Sequence, residues 1–227
     1  MRYLGIETTE DTASIALALD GEVVGEDVFE SRGVLCDELI PRILSLCGAP
    51  DTLDGIAVSG GPGSFTGLRI GVATAKALCH ALRLPAAVVP TQHVYALCAA
   101  RAAGDGFTGT VGVIQRARVG HCYAGLYAVD EGVREIAPAR LATFSDAFEV
   151  VGDACLLIGN GIDVAGETEP RMLELPRVEP PGDTPRASAV LALAQWPETF
   201  DFELLAAVRP TYLQPSQAER THGIEVE

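Results

Sequence analysis

The sequence predicts an α/β fold of two lobes, each a mixed sheet flanked by helices, and three observations carry that prediction. Over the first hundred residues the apolar patterning reads strand, strand, strand, helix, strand, helix, strand, helix. After Gly104-Asp105-Gly106 the opening of that plan starts again. Between strand and helix in the first copy lies a glycine-rich turn, Gly60-Gly61-Pro62-Gly63-Ser64-Phe65-Thr66-Gly67-Leu68-Arg69. The expected division is a first lobe over 1–105, an abbreviated second lobe over 106–213 and a polar tail over 214–227.

Residues 2–7, 12–19 and 22–30 read as strands, with Glu10-Asp11 and Asp20-Gly21 at the turns; Asp-Gly between alternating segments is a hairpin signal. A helix follows over 35–47, where Leu35, Leu39, Ile43 and Leu46 keep helical spacing and Gly48 ends the run. Pro41 sits inside it, so a kink or a lost bond to the Asp37 carbonyl is expected. Gly55-Ile56-Ala57-Val58-Ser59 suits a strand buried on both faces. A helix over 67–84, a strand over 86–89 and a helix over 91–101 complete the first lobe. The second copy reads as strands over 109–115, 122–129 and 133–141, a helix over 145–151 and a strand over 155–158. Residues 176–183, rich in proline, read as a linker, and Thr184-Pro185 as the start of a helix ending near Trp196.

Glycines in the 60–69 turn permit positive φ and close backbone approach, and Ser64 can accept a hydrogen bond from a free amide of the first helical turn. Two readings fit the turn equally: a phosphate cradle at a helix N-terminus and a tight structural turn with no ligand. It is not a P-loop, because no Gly-Lys-Ser/Thr follows at the required spacing.

Composition narrows the functional classes. The 227 residues carry 16 Lys and Arg against 31 Asp and Glu, a formal charge of −15. Unaided nucleic-acid binding draws its affinity from cations, so any RNA partner is expected to be gripped by something else. No segment approaches the ~20 apolar residues of a membrane span. The N-terminus lacks a signal-peptide layout, which sets the expectation of a cytoplasmic protein without membrane contact. Six cysteines are scattered with no Cys-x-x-Cys pair, and four histidines show no ligand spacing, so reduced cysteines and no metal are expected.

On the 67–84 helix, Arg69, Lys76 and Arg83 recur every seven residues on one narrow stripe, and the remainder is apolar or small. Such a helix is either internal or shared with a second protein. In the second case Arg69 and Arg83 would hydrogen-bond across the rim of the contact.

Gly61-Pro62-Gly63-Ser64-Phe65-Thr66-Gly67-Leu68-Arg69-Ile70-Gly71 closely resembles the signature of the TsaB (YeaZ) family of bacterial tRNA threonylcarbamoyladenosine biosynthesis proteins. Ile6-Glu7-Thr8-Thr9, Ala13-Ser14-Ile15-Ala16-Leu17, Glu38-Leu39-Ile40-Pro41, Asp54-Gly55-Ile56-Ala57-Val58 and Arg209-Pro210-Thr211-Tyr212-Leu213 extend the resemblance over about half of the chain. It implies a duplicated fold like that of actin, sugar kinases and the Hsp70 ATPase domain, and a non-catalytic scaffold that activates TsaD. TsaD would hold the nucleotide and metal and transfer threonylcarbamoyl to tRNA, and TsaE would supply an ATPase. No cofactor is then required by this chain, and tRNA is met only through the complex. The resemblance places the contact with TsaD, and a homodimer when TsaD is absent, on the two first-lobe helices. The carried-over positions are Leu39, Ile43, Leu46, Arg69, Ile70, Ala73 and Ala77. Three departures from the family pattern, Cys36-Asp37, Arg116 and Gln214, bear on any second-lobe ligand site.

The alternative is a stand-alone ATP-dependent phosphotransferase or ATPase. It would place nucleotide near Glu7, Thr8, Gly61, Gly63 and Ser64, with Glu7 as the only first-loop acid and Gln115-Arg116 offering no second one. Gly159-Asn160-Gly161 reads either as an adenine pocket or as a plain helix-start turn.

Overall fold

A computed structural model describes residues 1–214. The first sheet is built from β1 (Arg2–Glu7), β2 (Thr12–Leu19), β3 (Glu22–Glu30), β4 (Gly55–Ser59) and β5 (Ala86–Val89) in the order β3-β2-β1-β4-β5. The meander β1-β2-β3 is antiparallel, and β4 and β5 add in parallel because each is reached through a helix. These helices are α1 (Leu35–Cys47) and α2 (Phe65–Leu82). Next, α3 (Thr91–Ala103) leads into a second sheet of β6 (Gly109–Arg116), β7 (His121–Val129), β8 (Val133–Thr143) and β9 (Leu156–Ile158). Its order, β8-β7-β6-β9, repeats β3-β2-β1-β4, with an antiparallel meander and one parallel addition. The duplication is real, and the second copy lacks a counterpart of β5 among the described residues. The remaining helices are α4 (Ala147–Val151), α5 (Ile162–Thr168), α6 (Ala187–Leu193) and α7 (Phe202–Ala207).

The layers follow from which faces are apolar. One face of the first sheet buries Leu4, Ile6, Ile15 and Ile56 against Leu35, Leu39 and Ile43 of α1 and Val72, Ala75 and Cys79 of α2. Between the sheets lie α3 and α6, joining Ala57 and Val89 to Val111, Val113 and Tyr127. The outer face of the second sheet is covered by α4 and α5. Arg42 pins α1 to the sheet, donating to Asp27 at 2.9 Å and Glu38 at 2.8 Å while stacking on the Phe29 ring.

Three expectations need correction. Residues 176–183 are no free linker: Arg177 pairs with Leu157, and Val178 is buried against the second sheet. The helix expected over 185–196 is α6, starting only at Ala187, because Arg186 is still extended and no side chain caps it. The second lobe does not run to residue 213. From Ala187 the chain returns to the first sheet, where the Ala187 amide donates to Ser14 Oγ and Ser188 to Glu26. Helix α5 begins directly after Gly161, as the helix-start reading of Gly159-Asn160-Gly161 has it, whereas α7, at 6 residues, is too short to show a periodicity and was not expected. The expected tail beyond Gln214 lies outside the described residues.

Candidate functional site

Four loops converge where the two sheets meet: residues 8–11 after β1, the glycine turn before α2, the end of β6, and the 159–161 turn after β9. Here the chain's own groups occupy much of the junction, beside a pocket of about 350 Å³ lined by Glu10, Asp11, Arg32, Ser64 and Gly67. Glu7 is 0% exposed; its Oε1 accepts from the Thr9 amide at 2.7 Å and the Thr9 hydroxyl at 2.5 Å, and its Oε2 accepts from the Ser59 hydroxyl. Burial pushes this carboxyl above its ordinary range, partly offset by those hydrogen bonds. Thr8 donates to the Gly67 carbonyl at 2.8 Å. The Ser64 amide donates to the Thr9 carbonyl at 2.8 Å, and the Ser64 hydroxyl caps α2 by accepting from the Gly67 amide at 3.2 Å. Gly61 needs its φ of +109°, and a side chain there would strike the Thr211 carbonyl; one at Gly63 would strike Thr9. Thus Glu7, Thr8, Gly61, Gly63 and Ser64 are brought together as sequence reasoning expected, and each is engaged by neighbouring groups of the chain: Glu7 by Thr9 and Ser59, Thr8 by Gly67, Gly61 by Thr91, Gly63 by Thr9, and Ser64 by Thr9 and Gly67. The ligand-free reading of the turn accounts for all of these contacts.

Glu10, read from sequence only as a turn marker, proves central. Its carboxylate accepts from Gln115 Nε2 and from Asn160 Nδ2, both at 2.6 Å. Gln115 also donates to the Pro62 carbonyl at 3.2 Å, and Asn160 accepts from the Arg116 amide at 2.7 Å. Asn160 lines a polar pocket of about 250 Å³ with Arg116, Asp163, Arg177, Glu179 and Asp183, yet its amide is committed on both ends. Among the described residues no group of three or more His, Cys, Asp or Glu is placed to hold a metal ion, and no helix is long and apolar enough to cross a membrane.

The outward helix pair differs from expectation in which residues it presents. Leu39 and Ile43 are each 1% exposed and belong to the core, so they offer nothing to a partner. Leu46 and Ile70 are half-buried against the same core. What α1 turns outward is Val34, at its start, with Ile40 and Leu44, the last two 39% and 46% exposed; from α2 come Ala73 and Ala77. The sequence carries the signal for this second face, because α1 has apolar residues on more than one stripe.

The basic stripe of α2 is also spent at home. Arg69 stacks on the Phe65 ring at 3.9 Å and donates to the Tyr212 hydroxyl at 3.3 Å. Lys76 donates to the Ala206 and Val208 carbonyls at 3.2 and 3.0 Å, ending α7 as a cation at a helix C-terminus should. Arg83 faces the Phe200 and Phe202 rings. Seven-residue spacing thus holds a C-terminal strap, 200–212, whose Leu205 and Val208 enter the core and whose Thr211 amide closes on Gly60. Lys76→Met is expected to lower unfolding free energy by about 1 kcal/mol, since one part-buried and one exposed carbonyl lose a charged donor. Urea denaturation of the pure variant checks this, and an unchanged midpoint would remove the strap's central anchor.

These features define a class: a duplicated, actin-like two-lobed protein whose lobes are bridged at the cleft by its own side chains and whose C-terminal strap completes the first lobe. Comparison with known proteins agrees. The family model described as TsaD: tRNA N6-adenosine threonylcarbamoyltransferase matches residues 23–156. The tRNA threonylcarbamoyladenosine biosynthesis protein TsaB of Bacillus subtilis is 33% identical over 156 residues, 66% of each chain. An uncharacterised protein of Mycobacterium tuberculosis is 32% identical over 213 residues, 92% of this chain and 88% of that one. The fold matches the solved structure of YeaZ from Pseudomonas aeruginosa with a TM-score of 0.74 at 22% identity, over 93% of this chain and 99% of that one. The chain belongs to the TsaB (YeaZ) family.

Proposed function

We propose that this chain is a non-catalytic scaffold that activates a TsaD-type transferase in making threonylcarbamoyladenosine in tRNA. The observation that carries the reading is the outward side of α1 and α2, where Ile40 and Leu44 stand beside the small Ala73 and Ala77. Large apolar side chains next to small ones let a second helix pair approach closely, as at the core of a stable interface. The two acids of the first loops support the same reading from the other side: with Glu7 sealed and Glu10 bonded to two amides, neither of these carboxylates is free to hold magnesium or activate an attacking group. Nucleotide and metal then belong to TsaD and TsaE, tRNA is reached only through the complex, and the same helix faces pair two copies when TsaD is absent.

Ala73→Arg and Leu44→Asp are expected to weaken association with TsaD at least tenfold, about 1.4 kcal/mol or more, with unfolding midpoints unchanged because both sites are exposed. Co-purification and titration calorimetry with TsaD read this directly. Normal association of both variants would place the interface elsewhere. Magnesium-dependent ATP turnover by the wild-type chain alone, abolished in Glu7→Gln, would replace the scaffold reading by the phosphotransferase one.

A further inference from the structure

We propose, on the scaffold reading above, that the C-terminal strap is the second wall of the partner site. With α1 on the other side it makes α2 the floor of a trough that takes one amphipathic helix of the transferase, apolar along its base and acidic along the edge nearest the strap. The floor is made of small residues. Ala73, Ala77 and Ala81 are exposed along one side of α2, while Val72, Ala75 and Cys79 on its opposite side enter the core. One border is α1, with Ile40 and Leu44 exposed. The other border is aromatic, and the strap supplies it. Tyr212 packs its ring 5.2 Å from that of Phe65 at the start of α2, and Phe202 sets its ring 5.5 Å from that of His80, one turn past Ala77. Phe65, Tyr212 and Phe202 are 40%, 43% and 50% exposed, so each keeps apolar surface open to a neighbour.

Charge selects the occupant. The chain carries −15 overall, yet the strap side of α2 presents cations. Arg69 lies 3.9 Å over the Phe65 ring and donates through Nε to Tyr212, and its two Nη atoms have no partner among the described residues. Arg83, at the C-cap of α2, stands 5.5 Å from the Phe202 ring and makes no ion pair among the described residues. A guanidinium already held on an aromatic ring gives up little freedom when it takes a carboxylate. Fourteen residues separate the two arginines, about 21 Å of helix. One partner helix of about four turns reaches both only by lying nearly along α2, a crossing near about 20° that the small floor residues permit. A second copy of this chain fits less well. Its α2 brings arginines where carboxylates are needed, and its α1, 13 residues long, has Asp37 and Glu38 together in the first turn and so cannot answer both ends. Two chains of −15 also repel.

Hydrogen exchange on the full-length wild-type chain, with and without TsaD, tests this together with titration calorimetry of variants. Backbone amides of 200–212 should gain protection when TsaD binds. Phe202→Ser should weaken association about tenfold, and Arg69→Gln and Arg83→Gln about threefold each, with a flatter salt dependence than wild type. If Leu44→Asp blocks TsaD while strap protection and the three affinities stay at wild-type levels, the strap is no wall although the scaffold reading stands. If Leu44→Asp and Ala73→Arg both bind normally, the scaffold reading fails and the trough with it. Strap protection that appears on concentrating the chain alone, and not with TsaD, would assign the trough to a second copy and overturn the occupant. The wild-type exchange decides the matter even if Phe202→Ser does not fold.

Discussion

Gly67→Ala is expected to lower the unfolding free energy by about 3 kcal/mol, roughly a 10 °C drop in midpoint for a chain of this size, although alanine is the better helix former. Gly67 is the third residue of α2, where the helix presses on the loop leaving β1. A Cβ there would lie 1.9 Å from the Thr8 carbonyl oxygen and 3.1 Å from its carbon. Backbone cannot swing aside as a flexible side chain does. One turn later a Cβ at Gly71 would meet Thr8 Oγ1 at 2.2 Å, so relief by sliding the helix is blocked as well. Intrinsic propensity favours the substitution by about 1 kcal/mol, and the close approach overrides it. Thermal and urea unfolding of the purified variant measure the outcome. Stability equal to wild type would mean that α2 does not sit this close to Thr8.

Glu7→Ala is expected to cost about 3 kcal/mol, with Glu7→Gln costing roughly 1 kcal/mol. Alanine leaves the Thr9 amide and the Thr9 and Ser59 hydroxyls without an acceptor at a site closed to water, and leaves a void as well. Glutamine keeps one oxygen for the Thr9 donors, and the Ser59 hydroxyl can turn to accept from its amide. The sign of the pH dependence is fixed. Burial raises this carboxyl in the folded chain, so the folded state holds its proton more tightly than the unfolded one. Its contribution to stability is full below the unfolded value of 4.5 and is lost as pH rises through the raised folded value. The Gln variant should therefore show a shallower decline of stability with rising pH. If Glu7→Ala unfolds at the wild-type midpoint, the acid is not a keystone, and a reactive role for it returns.

Nearly all of the first lobe was legible in the chain, for local reasons. The Asp20-Gly21 hairpin works because both residues adopt positive φ, and alternation to either side fixes the strand faces. The Ser64 cap and Gly48 stop lie within a few residues of the elements they bound. The residues expected at the site do meet in the structure, but what each of them engages was not legible. Glu7, Gly63 and Ser64 look alike in sequence whether they cradle a phosphate or engage Thr9 and its neighbours, because glycine and hydroxyl side chains serve both ends. Among the apolar residues of α1, Leu39 and Ile43 share a stripe with Leu35, and no periodicity states which stripe meets the sheet.

By itself the sequence determined the order of strands and helices, the duplicated plan and the glycine turn, since each is written in contacts between near neighbours. Only the tertiary structure decided what the charged groups do. Arg69 and Lys76 of the stripe on α2 found hydrogen-bond partners in a strap 130–143 residues away, and Glu10 found Gln115 and Asn160 at separations of 105 and 150. A side chain declares its chemistry locally, but its partner is chosen by how the chain folds back.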